Sequence, residues 1–341
     1  MIFSVENVEL PSCVAIVIPA YNAEATLATT LDSALAENGV AEIVVVDDGS
    51  CDGTLALARG YEPRVRVLTG PNAGVSAARN RGAAETSAPW LLFLDADDLL
   101  EPGTIAARLD ASKDGVADVI ICDWRDLTED CAGNATLGPR RSINWASLAQ
   151  GIEVATAVTV WATTAAILYR RTIFDRVGGF RRDLPVIQDA RFLFDAAFQG
   201  ARFAHAPHIG AQYRVLPGSL SRRDPTRFLL DVLLNGEQIE ALWRCRGALS
   251  PEQAKGLAAI YNQATRGLFA SAHPRYFDAV RRQRSLGQPV PVHSQIAAPM
   301  ARLLGLKTAR SLHVLAKRTV TAFAVATRAA DEFRLKMGRS N

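Results

Sequence analysis

The chain has 341 residues, of which 49% are hydrophobic and 21% are charged, and its formal net charge is +3. This composition is typical of a globular protein with one large domain and an appendage, or with two domains. Five cysteines without metal-site spacing, an N-terminus without a signal-peptide pattern and no apolar run of about 18 residues argue against a disulfide scaffold, a secreted precursor and a membrane-spanning protein.

The first part of the sequence alternates predicted strands with predicted helices. Runs rich in apolar residues predict strands over residues 14–18, 42–46, 64–68 and 90–94. Apolar residues at helical spacing, among them Leu27 and Leu31, follow the first strand, and helical patterns also follow the second and third. This alternation predicts a mostly parallel sheet with helices on both faces and right-handed connections.

Carboxylates follow two of these predicted strands. Asp47 and Asp48 end the second strand, and Asp95, Asp97 and Asp98 end the fourth. In an open parallel sheet, ligands bind at the C-terminal ends of the strands. Clustered carboxylates repel one another unless a cation or hydrogen-bond donors neutralise them, which favours a site for Mg²⁺ or Mn²⁺ and phosphate oxygens. For an isolated Asp-x-Asp, a solvated turn or a helix cap is the alternative.

The rest of the sequence predicts further strands and then only helices. Strands are predicted over residues 117–122, 165–169, 202–206 and 209–215, a helix over 189–199, and a variable polar loop over 125–150. The pattern is helical from residue 225. We therefore expect a first domain at residues 1–224, with halves at about 1–123 and 124–224, and a helical region at 225–341.

Two nucleotide-binding classes lack their sequence signatures here. No GxGxxG follows the first strand and no GxxxxGK[ST] occurs, which argues against a dinucleotide enzyme and a P-loop NTPase. Sugar-nucleotide nucleotidylyltransferases would need a glycine-rich loop with arginine where this chain has Pro-Ala-Tyr-Asn at residues 19–22. The five histidines are scattered along the chain, which argues against a histidine-based zinc site.

A series of motifs between about residues 14 and 223 resembles glycosyltransferase family 2. In chain order they are VAIVIPAYN, EIVVVDDGSCDGT, GPNAGVSAARNRG, WLLFLDADD, FDRVGGF, a Gln-Asp pair on a helix, and YRVLPGSLSRR. The resemblance implies the GT-A fold, an α/β architecture with a Rossmann-like, mostly parallel sheet flanked by helices, here followed by an all-helical C-terminal extension. It also implies an inverting transferase with a nucleotide-sugar donor and Mn²⁺ or Mg²⁺ as cofactor.

The resemblance assigns expected roles in the nucleotide half. Pro19, Ala20 and Tyr21 are expected against the base, with Asp47 or Asp48 hydrogen-bonded to it. Arg79 is expected on the base or the diphosphate, with a surface salt bridge as the alternative. Asp95 is expected on the ribose or the metal, Ala96 on the nucleotide, Asp97 on the metal, and Asp98 behind them. The residues expected to bind the nucleotide are thus Pro19, Ala20, Tyr21, Asp47, Asp48, Arg79, Asp95 and Ala96. Those expected to bind the metal are Asp95 and Asp97.

The resemblance also places a general base in the second half. The family has an acidic pair on the helix after the Gly-Gly-Phe turn, and this chain has Gln188 and Asp189 there. Asp189 is therefore the expected base, because the attacking hydroxyl must lose a proton. A helix N-cap is the alternative role for Asp189, and Asp183 is a competing acid. Since the first acid of the pair is missing, the type of acceptor is in doubt.

Further residues are expected on the acceptor or diphosphate side. A histidine common in the family is replaced by Leu216, so Arg214, Ser219, Ser221 and Arg222 are candidates for a phosphate-facing lid. Solvated arginines are the alternative. Trp161 could stack on an acceptor sugar or be a core residue.

These expectations combine into one function. We expect a metal-dependent transfer of a sugar from a nucleoside diphosphate donor, UDP-linked by preference, to a glycan or lipid-linked acceptor in envelope polysaccharide synthesis. The alternative is a non-catalytic nucleotide-sugar-binding or scaffold protein of the same fold. No nucleic-acid partner is expected, whereas a homo-oligomer is compatible with the sequence.

The C-terminal segment differs in charge from the rest of the chain. Residues 300–341 contain nine Lys or Arg and two acids, interleaved with apolar residues. Such a segment can lie on an anionic membrane surface or pack on the protein itself. The expected location is cytoplasmic, with the inner face of the cell membrane as the place of any peripheral contact.

Overall fold

The structure is a computed structural model, and it describes residues 12–112, 115–130, 133–149, 151–216, 218–271 and 273–287. The chain divides into two compact units, one ending at Asp231 and the other beginning at Val232. The predicted domain boundary, between residues 224 and 225, lies a few residues before this division.

The strands of the first unit form a single mixed sheet. They are β1 (Val14–Ala20), β2 (Val40–Asp47), β3 (Arg66–Thr69), β4 (Trp90–Phe93), β5 (Leu99–Leu100), β6 (Val119–Glu129), β7 (Ala135–Arg141), β8 (Ile167–Arg170) and β9 (Phe203–Arg214). The strand order is β3-β2-β1-β4-β8-β6-β9-β5, and β7 pairs with β6. Strands β3, β2, β1 and β4 are parallel neighbours, β6 and β9 are also parallel, and the other pairings are antiparallel.

Helices connect and flank these strands. In the first unit they are α1 (Leu27–Leu35), α2 (Thr54–Arg59), α3 (Val75–Ala84), α4 (Thr104–Asp110), α5 (Trp145–Ala149), α6 (Ile152–Val158), α7 (Arg171–Val177), α8 (Gln188–Phe198) and α9 (Leu220–Arg223), with a 3-10 turn at Thr164–Ala166. The predicted α/β architecture with a sheet flanked by helices is confirmed, and the parallel neighbours β3, β2, β1 and β4 all lie within residues 14–93.

The core of the first unit lies against the central strands. Every residue of β1 and β4 is buried, as the unbroken apolar runs predict for strands covered on both faces. Helix α3 packs closely on the sheet at Gly82, where a Cβ atom would lie 2.4 Å from Val17 Cγ1 and 3.1 Å from Val46 Cγ2. The missing side chain brings α3 and its arginine close to the strand ends.

The segment over residues 125–150 is not the loop that the sequence predicts. Strand β6 continues to Glu129, β7 returns beside it, and α5 follows. Arg140 donates a hydrogen bond of 2.6 Å from Nε to the buried Asp123 carboxylate, which fastens β7 to the sheet. Because the polar residues of β7 are mostly exposed, they carry no apolar alternation, and the strand pattern is hidden.

Two further boundaries differ from the prediction. The strands expected over 202–206 and 209–215 are one strand, β9, whose pairing with β6 shifts in register after Ala206. The strand expected from residue 165 begins at Ile167, after the 3-10 turn.

The second unit is helical in its described part, as predicted. Helix α10 (Pro225–Cys245) runs across the division between the units, and α11 (Pro251–Ala270) and α12 (Tyr276–Ser285) follow. Helix α11 begins with a capping box between Ser250 and Gln253. In the described ranges no helix is both long and apolar enough to cross a bilayer. The basic segment at residues 300–341 lies outside the described residues.

Candidate functional site

The two acids that end β2 hold the loops around the strand ends. Asp47 accepts hydrogen bonds from Thr69 Oγ1 at 2.8 Å and from the Ser50 amide at 3.2 Å. Asp48 accepts from the backbone amides of Ala73 and Gly74, at 2.8 and 2.9 Å. Asp48 therefore orders the glycine loop before α3, and Asp47 ties the end of β3 to the loop after β2. A direct hydrogen bond from a nucleotide base to either carboxylate stays a prediction.

The loop after β1 presents an aromatic ring to solvent. Pro19 and Ala20 are buried within β1, whereas Tyr21 is 48% exposed. Asn22 has a φ of 50° and joins this loop to the β2 loop, because its amide donates to Ser50 Oγ and its Oδ1 accepts from the Cys51 amide. Tyr21 is thus held at the edge where a base was expected.

Arg79 is a buried cation at the centre of the site. Its side chain is 2% exposed, its Nη2 donates to Asp95, and its guanidinium lies 5.1 Å from the Phe180 ring centroid. Its Nε and Nη1 groups are buried and have no hydrogen-bond partner. Because an unpaired buried donor is costly, these two groups indicate a place for an anionic or carbonyl ligand. The alternative role for Arg79, a salt bridge at the surface, is excluded because its side chain is buried.

The acidic loop after β4 gives each carboxylate a different environment. Asp95 accepts from Arg79 and, at 3.2 Å, from Thr164 Oγ1. Asp98 is 1% exposed and accepts from Thr163 Oγ1 at 2.8 Å and the Arg214 amide at 2.9 Å. Asp98 therefore fastens the loop through these two hydrogen bonds, and its place behind a bound ligand stays a prediction.

Asp97 lies in an acidic and largely buried environment. Burial and the neighbouring Asp95 charge raise its pKa to about 6, although the charges of Arg214 and Arg79 partly offset them. Burial also raises the pKa of Asp98, together with the charges of Asp97 and Asp95. Such a cluster favours binding of a cation, because positive charge relieves the repulsion.

Arg214 supports the acidic loop from the end of β9. It is 5% exposed, its Nε donates to the Asp97 carbonyl oxygen at 2.8 Å, and its Nη1 pairs with Glu129 of β6. The guanidinium thus orients the backbone of the acidic loop. A contact with phosphate stays a prediction.

Asp189 lies in the first turn of α8, where the sequence places the base. Burial raises the pKa of its carboxyl group, and the charge of Arg79 is the main influence in the opposite direction. Its Oδ1 accepts from the Ala190 amide at 2.8 Å. The nearby Asp95 charge also raises this pKa, so Asp189, Arg79 and Asp95 belong to one electrostatic cluster. A raised pKa suits a proton acceptor near neutral pH.

A pair of hydrogen bonds fixes the Gly-Gly-Phe turn, at residues 178–180, relative to α3. Asn80 donates from Nδ2 to the Phe180 carbonyl at 2.9 Å and accepts at Oδ1 from the Phe180 amide at 2.7 Å. Ser76 donates to the Arg181 carbonyl at 2.8 Å. The Gly-Gly-Phe turn packs so closely that a Cβ on Gly179 would lie 2.6 Å from Asn80 Oδ1. Helix α3 therefore positions both Arg79 and the segment leading to Asp189.

The other predicted residues are placed as follows. Gln188 is buried, and its Oε1 has no partner. Arg222 is exposed and donates to the Leu216 carbonyl, while Ser221 belongs to α9. Asp183 pairs with Arg181 at the surface, so its carboxylate already has a cationic partner. Trp161 is 40% exposed, which excludes the core role.

The protein side chains of the site supply only some of the ligands that a divalent cation needs. In the described ranges no group of three or more His, Cys, Asp or Glu side chains is arranged to hold a metal ion. Asp97, with Asp95 beside it, offers hard carboxylate oxygens, and Mg²⁺ is commonly held by one or two carboxylates, substrate phosphates and water. The donor set therefore fits a cation that a diphosphate helps to bind.

Several residues of the site are not evident from the sequence. Thr163, Thr164 and Glu129 contact the acidic loop or its arginine, and Thr26 and Thr30 donate to the Ala96 carbonyl at 2.8 and 3.1 Å. Residues 154–169 contain no charged side chain. The hydroxyls of Thr163 and Thr164 in this run are a signal in the sequence, because polar groups in a buried segment need partners.

Known proteins match this chain in sequence. Residues 15–178 match the family described as Glycosyl transferase family 2. The succinoglycan biosynthesis protein ExoO of Rhizobium meliloti is 31% identical over 219 residues, which are 61% of this chain and 62% of that protein. This chain therefore aligns with less than two thirds of that relative.

Two solved structures share the fold. S. aureus TarS 1-349 in complex with UDP-GlcNAc has a TM-score of 0.62 at 18% identity, covering 90% of this chain and 92% of that one. The mannosyltransferase PcManGT from Pyrobaculum calidifontis, in complex with GDP-Man and Mn2+, has a TM-score of 0.50 at 20% identity, covering 91% and 80%. At these identities the likeness concerns the fold, and it confirms the predicted GT-A architecture.

Proposed function

Because the chain belongs to glycosyltransferase family 2, we propose that it transfers a sugar from a nucleoside diphosphate donor to a hydroxyl group of a glycan or lipid-linked acceptor. The observation that carries the proposal is the place of Arg79. This buried cation pairs with Asp95, acts on the charge of Asp189 and keeps two unpaired donors. It thus joins an acid of the donor side to the candidate base.

The donor is proposed to lie along the ends of β1, β2 and β4. Tyr21 is exposed beside the loops that Asp47 and Asp48 order, which supports a base at this place. The diphosphate would then lie near Arg79 and Asp97. A UDP-sugar is the preferred donor, supported by the UDP-GlcNAc complex of TarS, while GDP-Man in the mannosyltransferase complex keeps a second base open.

Asp97 and Asp95 are the residues proposed to hold Mn²⁺ or Mg²⁺. When bound, such an ion would stabilise the negative charge that develops on the departing diphosphate. Asp98, Thr163 and Arg214 hold the loop that presents these carboxylates. Their contribution is to fix the geometry before substrate binds.

Asp189 is proposed to accept the proton of the attacking hydroxyl. The oxygen of that hydroxyl bonds to the anomeric carbon of the donor while the bond from this carbon to the diphosphate oxygen breaks, and the proton moves to the Asp189 carboxylate. Attack opposite the leaving group inverts the configuration at the anomeric carbon. General base catalysis of this kind is commonly worth about 10² to 10⁴ in rate.

The relatives support a place in polysaccharide synthesis. ExoO is described as a succinoglycan biosynthesis protein, and this chain is similar to it over 219 residues. We therefore propose an extracellular or envelope polysaccharide as the product class, built on the cytoplasmic side. A non-catalytic binding protein is the alternative, and the presence of both Asp97 and Asp189 favours the enzyme.

A panel of nucleotide sugars tests the proposal. The full chain is mixed with UDP-glucose, UDP-galactose, UDP-GlcNAc or GDP-mannose and Mn²⁺, and its melting temperature is measured. A ligand at 100 times its dissociation constant stabilises a protein by about 2.7 kcal/mol. We expect a clear increase with at least one donor and slow release of its nucleoside diphosphate. No stabilisation by any of the four, with or without Mn²⁺, would contradict the proposal.

A further inference from the structure

An exposed tryptophan stands beside the acidic loop. Trp161 is 40% exposed, and its ring meets those of Trp124 and Tyr213 edge to face, at centroid distances of 5.8 and 5.7 Å. The interplanar angles are 78° and 82°, so both neighbours support the indole from its sides. Trp124 is 3% exposed and forms the buried base of this group. We call these three residues the aromatic platform.

The aromatic platform is tied to the same carboxylate that fastens the acidic loop. Asp98 accepts from Thr163, two residues after Trp161, and from the amide of Arg214, the residue after Tyr213. One buried side chain thus sets the positions of both aromatic segments relative to Asp97. Tyr213 also responds to this charge, because burial and the Asp98, Asp97 and Asp95 carboxylates raise its pKa to about 12.

One part of the indole packs on Trp124 and Tyr213, while another part is open to solvent. An aromatic side chain that is packed on one side and exposed on the other is suited to contact a ligand at a polar site. A sugar ring has a face of C–H groups that can lie on an indole, while its hydroxyl groups point outward toward polar partners. Beside Asp97 such a ring would bring one hydroxyl toward the anomeric carbon of the donor.

We propose that Trp161 binds the C–H face of a sugar in the acceptor, so that the acceptor presents a carbohydrate, rather than a bare lipid or a polyol phosphate, at the reaction centre. This inference rests on the proposed function. Tyr213 and Trp124 position the indole and do not contact the reacting atoms.

The test measures sugar binding to the full chain in the presence of UDP and Mn²⁺. The probes are cellobiose, lactose and N,N′-diacetylchitobiose, with glycerol 3-phosphate and n-octanol as non-carbohydrate probes. The readout is acrylamide quenching of tryptophan fluorescence, because Trp161 is exposed, whereas Trp90, Trp124 and Trp243 are buried and Trp145 is half-buried. We expect at least one disaccharide to reduce quenching in a saturable way.

Three variants separate the roles. Trp161→Ala should weaken disaccharide binding at least about tenfold, as expected for an aromatic contact residue. Saturation-transfer NMR measures this affinity. Trp161→Phe keeps a flat ring and should retain most of the affinity. Leu137→Ala is the matched control, since Leu137 is another exposed apolar residue at 44%. UDP affinity with Mn²⁺ should be the same in all three variants and the wild type.

The outcomes distinguish this inference from the proposed function. If the wild type binds UDP but no disaccharide, or if Trp161→Ala binds disaccharide as the wild type does, the inference is wrong. The inference would also be overturned if n-octanol or glycerol 3-phosphate, but no disaccharide, reduced acrylamide quenching. A loss of UDP affinity in Trp161→Ala would overturn it as well. A wild type that binds none of the nucleotides contradicts the proposed function instead.

Discussion

At the scale of single residues, three acids that look alike in the sequence have different environments. Asp95 forms an ion pair with Arg79, and Asp98 accepts hydrogen bonds from Thr163 Oγ1 and the Arg214 backbone amide. The pKa of Asp97 is raised to about 6. The sequence predicts the cluster and its place at a strand end. It does not predict this division, because the partners come from α3, the 3-10 turn and β9.

The first prediction concerns Asp97. Asp97→Asn should abolish turnover and weaken Mn²⁺-dependent UDP binding by at least about tenfold, because a neutral amide replaces a charged oxygen ligand of a hard cation. Calorimetric titration of UDP with and without Mn²⁺ measures this effect. Asp175→Asn, an exposed acid on α7, is the control and should bind like the wild type. Equal Mn²⁺-dependent affinity in Asp97→Asn would remove the acid from the metal site.

The second prediction follows from the raised pKa of Asp97. Its folded-state pKa of about 6 lies above the ordinary value of 3.8, so the folded protein binds the extra proton between these values. Without metal, this group's contribution to stability is therefore lost as pH rises toward 6. A cation must displace the proton, so Mn²⁺ affinity should rise about tenfold per pH unit below 6 and level off above it. Flat affinity between pH 5 and 7 would contradict the assignment.

The identity of Arg214's partner shows what sequence reasoning misses. The sequence predicts an arginine near the phosphates, but the guanidinium pairs with Glu129, which is 85 positions earlier in the chain. Glu129 falls in the segment expected to be a loop. Only the pairing of β6 with β9, which brings Leu127 beside Arg214, makes this contact possible.

At the scale of elements, α3 connects the two halves of the site. Its sequence shows Arg79 and Asn80 side by side, and consecutive helical residues point in different directions. Arg79 reaches the acidic loop, while Asn80 holds the Gly-Gly-Phe turn that leads to α8. The sequence predicts the helix and the turn. It does not predict the hydrogen bond between them, because Asn80 and Phe180 are 100 positions apart and meet only in the folded chain.

The third prediction tests this connection. Asn80→Ala removes two hydrogen bonds to the Phe180 backbone and should lower the free energy of unfolding by about 1 to 3 kcal/mol. It should lower kcat more than UDP affinity, because α8 carries the base. Urea unfolding and calorimetry measure the two effects. Asn144→Ala, at an exposed position, is the control for stability. If kcat is unchanged despite lost stability, the turn does not position Asp189.

At the scale of the whole molecule, the two units differ in how well the sequence predicts them. Unbroken apolar strands and helical spacing predict the order of elements in the first unit, and the helices α10, α11 and α12 of the second are confirmed. The β6–β7 hairpin was not predicted, because polar exposed strands lack a pattern. The role of the basic segment at residues 300–341, in membrane contact or in packing, stays a prediction from the sequence.

The fourth prediction concerns that segment. We propose that it makes peripheral contact with anionic membranes, because interleaved basic and apolar residues gain about 1 kcal/mol per Lys or Arg near such a surface. The full chain should co-sediment with anionic liposomes at low salt and be released at high salt. A chain ending before Met300 should stay in the supernatant. Equal sedimentation of both, or of neither, would leave this segment as a packing element.

The central claim is the division of labour between Asp97 in donor binding and Asp189 in proton transfer. The most direct measurement compares Asp189→Asn with the wild type in two assays, the calorimetric affinity for UDP with Mn²⁺ and the turnover of the donor found in the nucleotide-sugar panel. We predict affinity within about threefold and turnover reduced by about 10² or more, because a base acts in the reaction and not in donor binding. Near wild-type turnover with a saturating acceptor would contradict the account.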